Sequence, residues 1–144
     1  MPDIYIVAYD GRDASRRAAL FAAERAQLAH AHLHLVHVLE WSPYSFLTPD
    51  ELAERHNRRT AEIERAQHHL LDPIQQELTQ AGHTVTIEVR YGSVAKTINE
   101  VASEKNAKII YLAKSNDSKL ASLLLGSVPS ALIQIATIPV AVVP

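Results

Sequence analysis

The 144-residue sequence predicts an α/β fold, an open, doubly wound, three-layer parallel sheet of five strands flanked by helices. Two observations carry that reading. Short apolar runs such as Ile4–Tyr9 and Ile109–Ala113 are continuous rather than alternating, as strands covered on both faces must be. Segments of helical period separate the runs, giving the series β-α-β-α-β-α-β-α-β.

Ile4–Tyr9 is ended by Asp10-Gly11, and Asp13 and Ser15 supply helix-start residues. Ala18, Ala19, Leu20, Ala22, Ala23, Ala26 and Leu28 then form an alanine-rich helix suited to close packing on a sheet. Leu33–Val38 is the second strand, placed parallel to the first by a right-handed crossover. Residues 40–49 form a connection rich in aromatics and proline. Thr48 or Asp50 caps a long helix in which Leu52, Ile63, Ala66, Leu70 and Leu71 recur at helical spacing. Asp72-Pro73 predicts a kink or restart, with Asp72 as a fresh cap and proline in the first turn. The helix stops at Ala81-Gly82. Thr84–Arg90 alternates polar with apolar, the pattern of a half-exposed edge strand. Gly92-Ser93 opens a helix burying Ile98, Val101 and Ala102; Lys108–Ala113 is the fourth strand, and Pro139–Val143 the last. The whole chain, 1–144, reads as one domain with no repeats.

Composition narrows the function classes. Fourteen basic and sixteen acidic residues leave a formal charge of −2, which gives no basic footprint for nucleic acid and no polybasic membrane anchor. No run reaches the length of a membrane span, and the N-terminus lacks the pattern of a signal peptide. The absence of cysteine removes disulfides and thiolate chemistry, and a cytoplasmic location fits.

The most informative stretch runs from Ala113 to Ser127. A loop leaving a strand's C-terminal end is where ligands bind in such sheets, and a helix beginning there offers free N–H groups to an anion. A capped strand-to-helix loop without ligand explains the same residues. With Ile6–Gly11, Leu33–Val38, Gly92 and Ile138–Val142, this stretch resembles the universal stress protein family over nearly the whole chain. That family's loop reads Gly, two residues, Gly, nine residues, then Gly-Ser or Gly-Thr. Here Gly126-Ser127 is intact, while Ala113 and Asn116 stand at the two earlier glycines.

The resemblance implies the strand order 3-2-1-4-5 and an adenine-nucleotide site for ATP or a relative, with magnesium. It places Ala8, Tyr9, Asp10, Val38, Ala113, Lys114, Asn116, Gly126, Ser127, Val128 and Ser130 at that site. Asp10 would contact the nucleoside, Val38 the adenine edge through its backbone, and Gly126, Ser127, Val128 and Ser130 the phosphates. Pro129 lacks an N–H, and Lys114 and Lys119 could partly compensate for the lost glycines. Asp10 reads equally as a turn aspartate bonding its own backbone. The resemblance further implies a homodimer through the last strand, Ile138 to Val143, a stress-adaptation role and an unidentified regulatory protein partner.

His30, His32 and His34 have strand spacing, but too few ligands converge for a metal site. Trp41, Tyr44 and Phe46 could stack on a base or simply pack. No Walker loop, dinucleotide fingerprint or nucleophile elbow is present, so a binding module rather than an enzyme is expected. The alternatives are an interaction protein of the same fold without nucleotide, and a slow ATP hydrolase.

Overall fold

A computed structural model describes residues 1–40, 48–114 and 127–144. Five parallel strands lie in the order β3-β2-β1-β4-β5, where β1 is Ile4–Ala8, β2 His32–Glu40, β3 Val85–Gly92, β4 Ile109–Ala113 and β5 Val140–Val143. The helices are α1 (Asp13–Leu28), α2 (Pro49–Ala66), α3 (Asp72–Gln80), α4 (Val94–Glu104) and α5 (Ser127–Ile135). Successive side chains on a strand point to opposite faces, so the central strands feed two cores. Val7, Leu35 and Tyr111 pack beneath α1 and α3 with Ala19, Ala22, Ala23 and Leu78. Ile6, Val36, Ile110 and Leu112 pack on the other face with Ile98, Val101 and Leu132 of α4 and α5.

Helix α1 approaches the sheet through Ala18, Ala19, Ala22, Ala23 and Ala26, all buried. Leu20 and Leu28, expected in that stripe, are exposed, Leu28 by 75%. They lie off the rows 18-22-26 and 19-23, and an alanine stripe alone sets the close distance. Thr48 rather than Asp50 caps α2. Its hydroxyl accepts the Glu51 N–H (3.2 Å), and the Glu51 carboxylate accepts the Thr48 N–H (3.1 Å). The expected apolar stripe of α2 does not bury: no residue of α2 is buried, and Leu52 is 52% exposed.

The restart at Asp72-Pro73 takes a different form from a new cap. The helix continues through a π turn, Gln67–Leu71, in which the Asp72 N–H reaches the Gln67 carbonyl five residues back. Pro73 has no N–H, and its ring would press on the His69 carbonyl in a regular helix; widening the turn relieves that pressure. Asp72 therefore sits inside α3 and caps nothing. Its carboxylate instead accepts from His68 Nδ1 at 3.0 Å.

Candidate functional site

The C-terminal ends of β1, β2 and β4 open into a cleft of about 750 Å³, closed by the N-terminal turns of α1, α4 and α5. Parallel strands bring all their C-terminal ends to one rim, and β1 and β4 part around the point where the order reverses. Ala8, Val36, Val38, Ile98, Leu112 and Val128 make an apolar inner wall. Asp10, Arg12, Arg17, Glu40 and Lys114 make a charged rim.

The turn after β1 is held by three hydrogen bonds. The Asp10 N–H donates to Ser15 Oγ (3.3 Å), the Ser15 hydroxyl donates to the Arg12 carbonyl (3.0 Å), and the Arg12 N–H donates to Asp10 Oδ1 (2.9 Å). The turn reading of Asp10 is the one observed, and its side chain also lines the cleft. One oxygen stabilises the turn, while Oδ2 stands 4.0 Å from Arg12 Nε on a side chain 55% exposed at the cleft. Ser15, expected to start the helix, is instead buried as the bridge of this turn. Gly11 makes the turn possible with φ +83°.

Ala8 and Tyr9 line the cleft from β1. The Tyr9 ring lies in the core beneath α1 and α3, where burial pushes its phenol pKa up. The Tyr9 carbonyl accepts from His37 Nδ1 at 2.8 Å, so a neutral His37 presents Nε2 as an acceptor. Ala113 is an ordinary strand residue paired with Val143, and its φ is not positive. Alanine thus satisfies this position without backbone strain. Lys114 follows, tied by its N–H to the Val143 carbonyl (2.9 Å) with its side chain at the rim.

Ser127 and Val128 line the opposite side as the first described residues of α5. Ser130 does not line the cleft. Asn116 and Gly126 lie outside the described residues, as do Lys119, Trp41, Tyr44 and Phe46.

Sequence reasoning missed Arg12, Arg17, His37 and Glu40. The signal for Arg12 was available, two residues after Asp10 at a strand's C-terminal end; Arg17, seven residues on, carried none. Arg16 is engaged by Glu77 at 2.8 Å, whereas Arg17 reaches the cleft.

The histidine row serves structure. His30 is a left-handed turn residue (φ 55°), and His34 is buried between Thr86 and Glu88 of β3. An ionised Glu88 accepts from His34 Nε2–H (2.9 Å), which leaves Nδ1 to accept the Thr86 hydroxyl (2.6 Å). Burial lowers the His34 pKa, and the Glu88 hydrogen bond only partly offsets it. Burial alone would raise Glu88, but hydrogen bonds from His34 and Arg90 hold it low. Among the described residues, no three His, Asp or Glu side chains are placed to hold a metal, and no helix is long and apolar enough to cross a membrane.

The family profile described as "Universal stress protein family" matches residues 1–144. "Universal stress protein G" of Salmonella typhimurium is 32% identical over 118 residues, covering 77% of this chain and 76% of that protein. Among solved structures, universal stress protein UspA from Lactobacillus plantarum superposes with a TM-score of 0.82 at 24% identity, covering 99% and 97% of the two chains. The universal stress protein from Archaeoglobus fulgidus in complex with dAMP gives 0.68 at 20%, covering 100% and 98%. A universal stress protein in complex with cAMP gives 0.73 at 21%, covering 99% and 97%.

Proposed function

The chain belongs to the universal stress protein family, and on that premise we propose that it is a non-catalytic module that binds an adenine nucleotide and acts as a homodimer. The observation that carries the nucleotide reading is the cleft itself. It has an apolar inner wall, a charged rim and the N-terminal turn of α5 on one side, the division a nucleotide needs. Its volume lies within the roughly 300–1,000 Å³ typical of small-molecule sites. The adenine class is supported by the dAMP and cAMP complexes among the similar structures.

In this reading the base enters between Val38, Ile98 and Leu112, and Asp10 Oδ2 accepts from the ribose. Lys114, Arg17 and the α5 N-terminus face the phosphates, with magnesium accompanying a triphosphate. Ala113 supports retention of the site, since its strand geometry does not call for glycine. The homodimer reading rests on β5, an apolar strand that ends the sheet with no strand paired to its outer edge among the described residues. The role we assign is cytoplasmic and regulatory, with occupancy passed to a protein partner.

Thermal denaturation with adenosine, AMP and ATP-magnesium tests the proposal. Ligand at about 100 times its dissociation constant stabilises by about 2.7 kcal/mol, a clear rise in melting temperature. No shift with any of the three would favour the interaction protein that holds no nucleotide.

A further inference from the structure

The cleft is not isolated from the long exposed helix. Gly11 lies between Asp10 and Arg12, the two rim residues joined by the 2.9 Å hydrogen bond. The Leu70 side chain is seated directly on it. A Cβ added to Gly11 would lie 2.1 Å from Leu70 Cδ1 and 3.2 Å from Cγ. Leu70 belongs to the π turn, where the helical register is widened between α2 and α3. Its neighbour Leu71 is fully buried and fixes the α3 side of that turn. Helix α2, on the other side, buries no residue. Leu70 is thus fastened through the core on one side and joined on the other to α2, which is held to β3 where the Tyr91 hydroxyl donates to Glu62 and Arg59 lies over the Tyr91 ring.

We propose that Leu70 is a positioning residue for the nucleotide site, holding the Asp10–Gly11–Arg12 turn in its binding shape, and that the π turn couples that site to helix α2. This rests on the nucleotide reading above. Pro73 favours the widened turn over a regular one, so this turn presents Leu70 to Gly11 in a defined place. The Leu70 methyls press on the turn that carries the Asp10 carboxylate, so a shift of the helix at this point reaches the rim of the cleft. Coupling is reciprocal: occupancy of the cleft steadies the π turn, and anything that fixes α2 changes nucleotide affinity by the same factor.

The test uses the full chain with ATP-magnesium and AMP as probes, titrated calorimetrically against Leu70→Ala, Leu70→Met and Leu78→Ala. Leu78 is buried in the same core but belongs to α3, so it controls for loss of stability alone. If removing Leu70 leaves the turn competent about a tenth of the time, affinity falls about tenfold. Leu70→Met keeps the volume and returns affinity to within roughly twofold of the parent. Leu78→Ala lowers the melting temperature with affinity unchanged. Amide hydrogen exchange across 67–72 slows on nucleotide addition in the parent and not in Leu70→Ala. Equal affinity losses in Leu70→Ala and Leu78→Ala would overturn the positioning role. Bound nucleotide with unaltered exchange at 67–72 would overturn the coupling while leaving the site intact. Absence of binding heat in the parent defeats the nucleotide reading, and this proposal with it.

Discussion

Replacing Gly11 by alanine tests the packing at the heart of this structure, because two separable costs arise. At φ +83° an alanine meets the left-handed penalty, about 1–2 kcal/mol. The new Cβ also overlaps Leu70 Cδ1, with a built separation of 2.1 Å. Leu70 is a flexible side chain and can rotate away, so the overlap costs about 1 kcal/mol through an off-rotamer angle. The sum, about 2–3 kcal/mol, lowers the melting temperature by about 10 °C for a chain of this size. Leu70→Ala alone costs about 1–2 kcal/mol, below the usual range for leucine truncation, because Leu70 is only half-buried. In the double variant the backbone penalty and the lost burial remain but the overlap vanishes. It should therefore be about 1 kcal/mol more stable than additivity predicts. Urea titrations of the four proteins in a double-mutant cycle measure this directly. Additivity within about 0.5 kcal/mol would refute the claim that Leu70 rests on Gly11.

Three further outcomes are expected. Burial lowers the His34 pKa in the folded chain, so the unfolded chain binds more protons just below pH 6.5 and stability declines as pH falls through that value. Glu88, held low, adds a loss of the same sign at more acidic pH, as its folded-state pKa is approached. The urea midpoint should drop between about pH 7.5 and about pH 5.5, and His34→Gln should flatten the decline; an equal drop in that variant would contradict the assignment. The carbonyls of Pro139 and Val143 accept from β4, so the N–H and C=O of Val142 point to the open edge of β5. Val142→Pro should abolish dimerisation in light scattering at unchanged helical signal; a persisting dimer would place the interface elsewhere. Arg17→Gln and Lys114→Gln should each weaken ATP binding while sparing adenosine, as calorimetry would show; equal loss for both ligands would remove these side chains from the phosphate end.

The sheet was legible because its determinants are local. Ile4–Ala8 and Ile109–Ala113 are apolar on both faces, and only a central parallel strand uses such a run. The strand order, 3-2-1-4-5, followed from the family resemblance and is the order observed. The misreadings share a different cause. Asp72 looks like a cap beside Pro73, but a cap requires the helix to end, and the π turn removes that need. Leu20 and Leu28 look buried by composition, yet α1 packs so closely through alanine that neighbouring leucines fall outside its stripe. The cleft was legible at Asp10, because a strand's last polar residue faces the rim. Arg17 and His37 were not, since each depends on its placement in three dimensions rather than on its neighbours in sequence. His37 is set by the Tyr9 carbonyl and Arg17 by the way α1 leaves the turn. Partners far apart in sequence likewise determine His34, whose role depends on Thr86 and Glu88 across the strand pair.

The claim that the cleft holds an adenine nucleotide is tested most directly by purifying the protein without added ligand. Heat then releases what it carries, for identification by mass spectrometry and absorbance. Recovery of an adenine nucleotide approaching one per chain, reduced in Lys114→Gln, is the result predicted here. Protein that carries no nucleotide, and binds none when dialysed against ATP-magnesium, would contradict it.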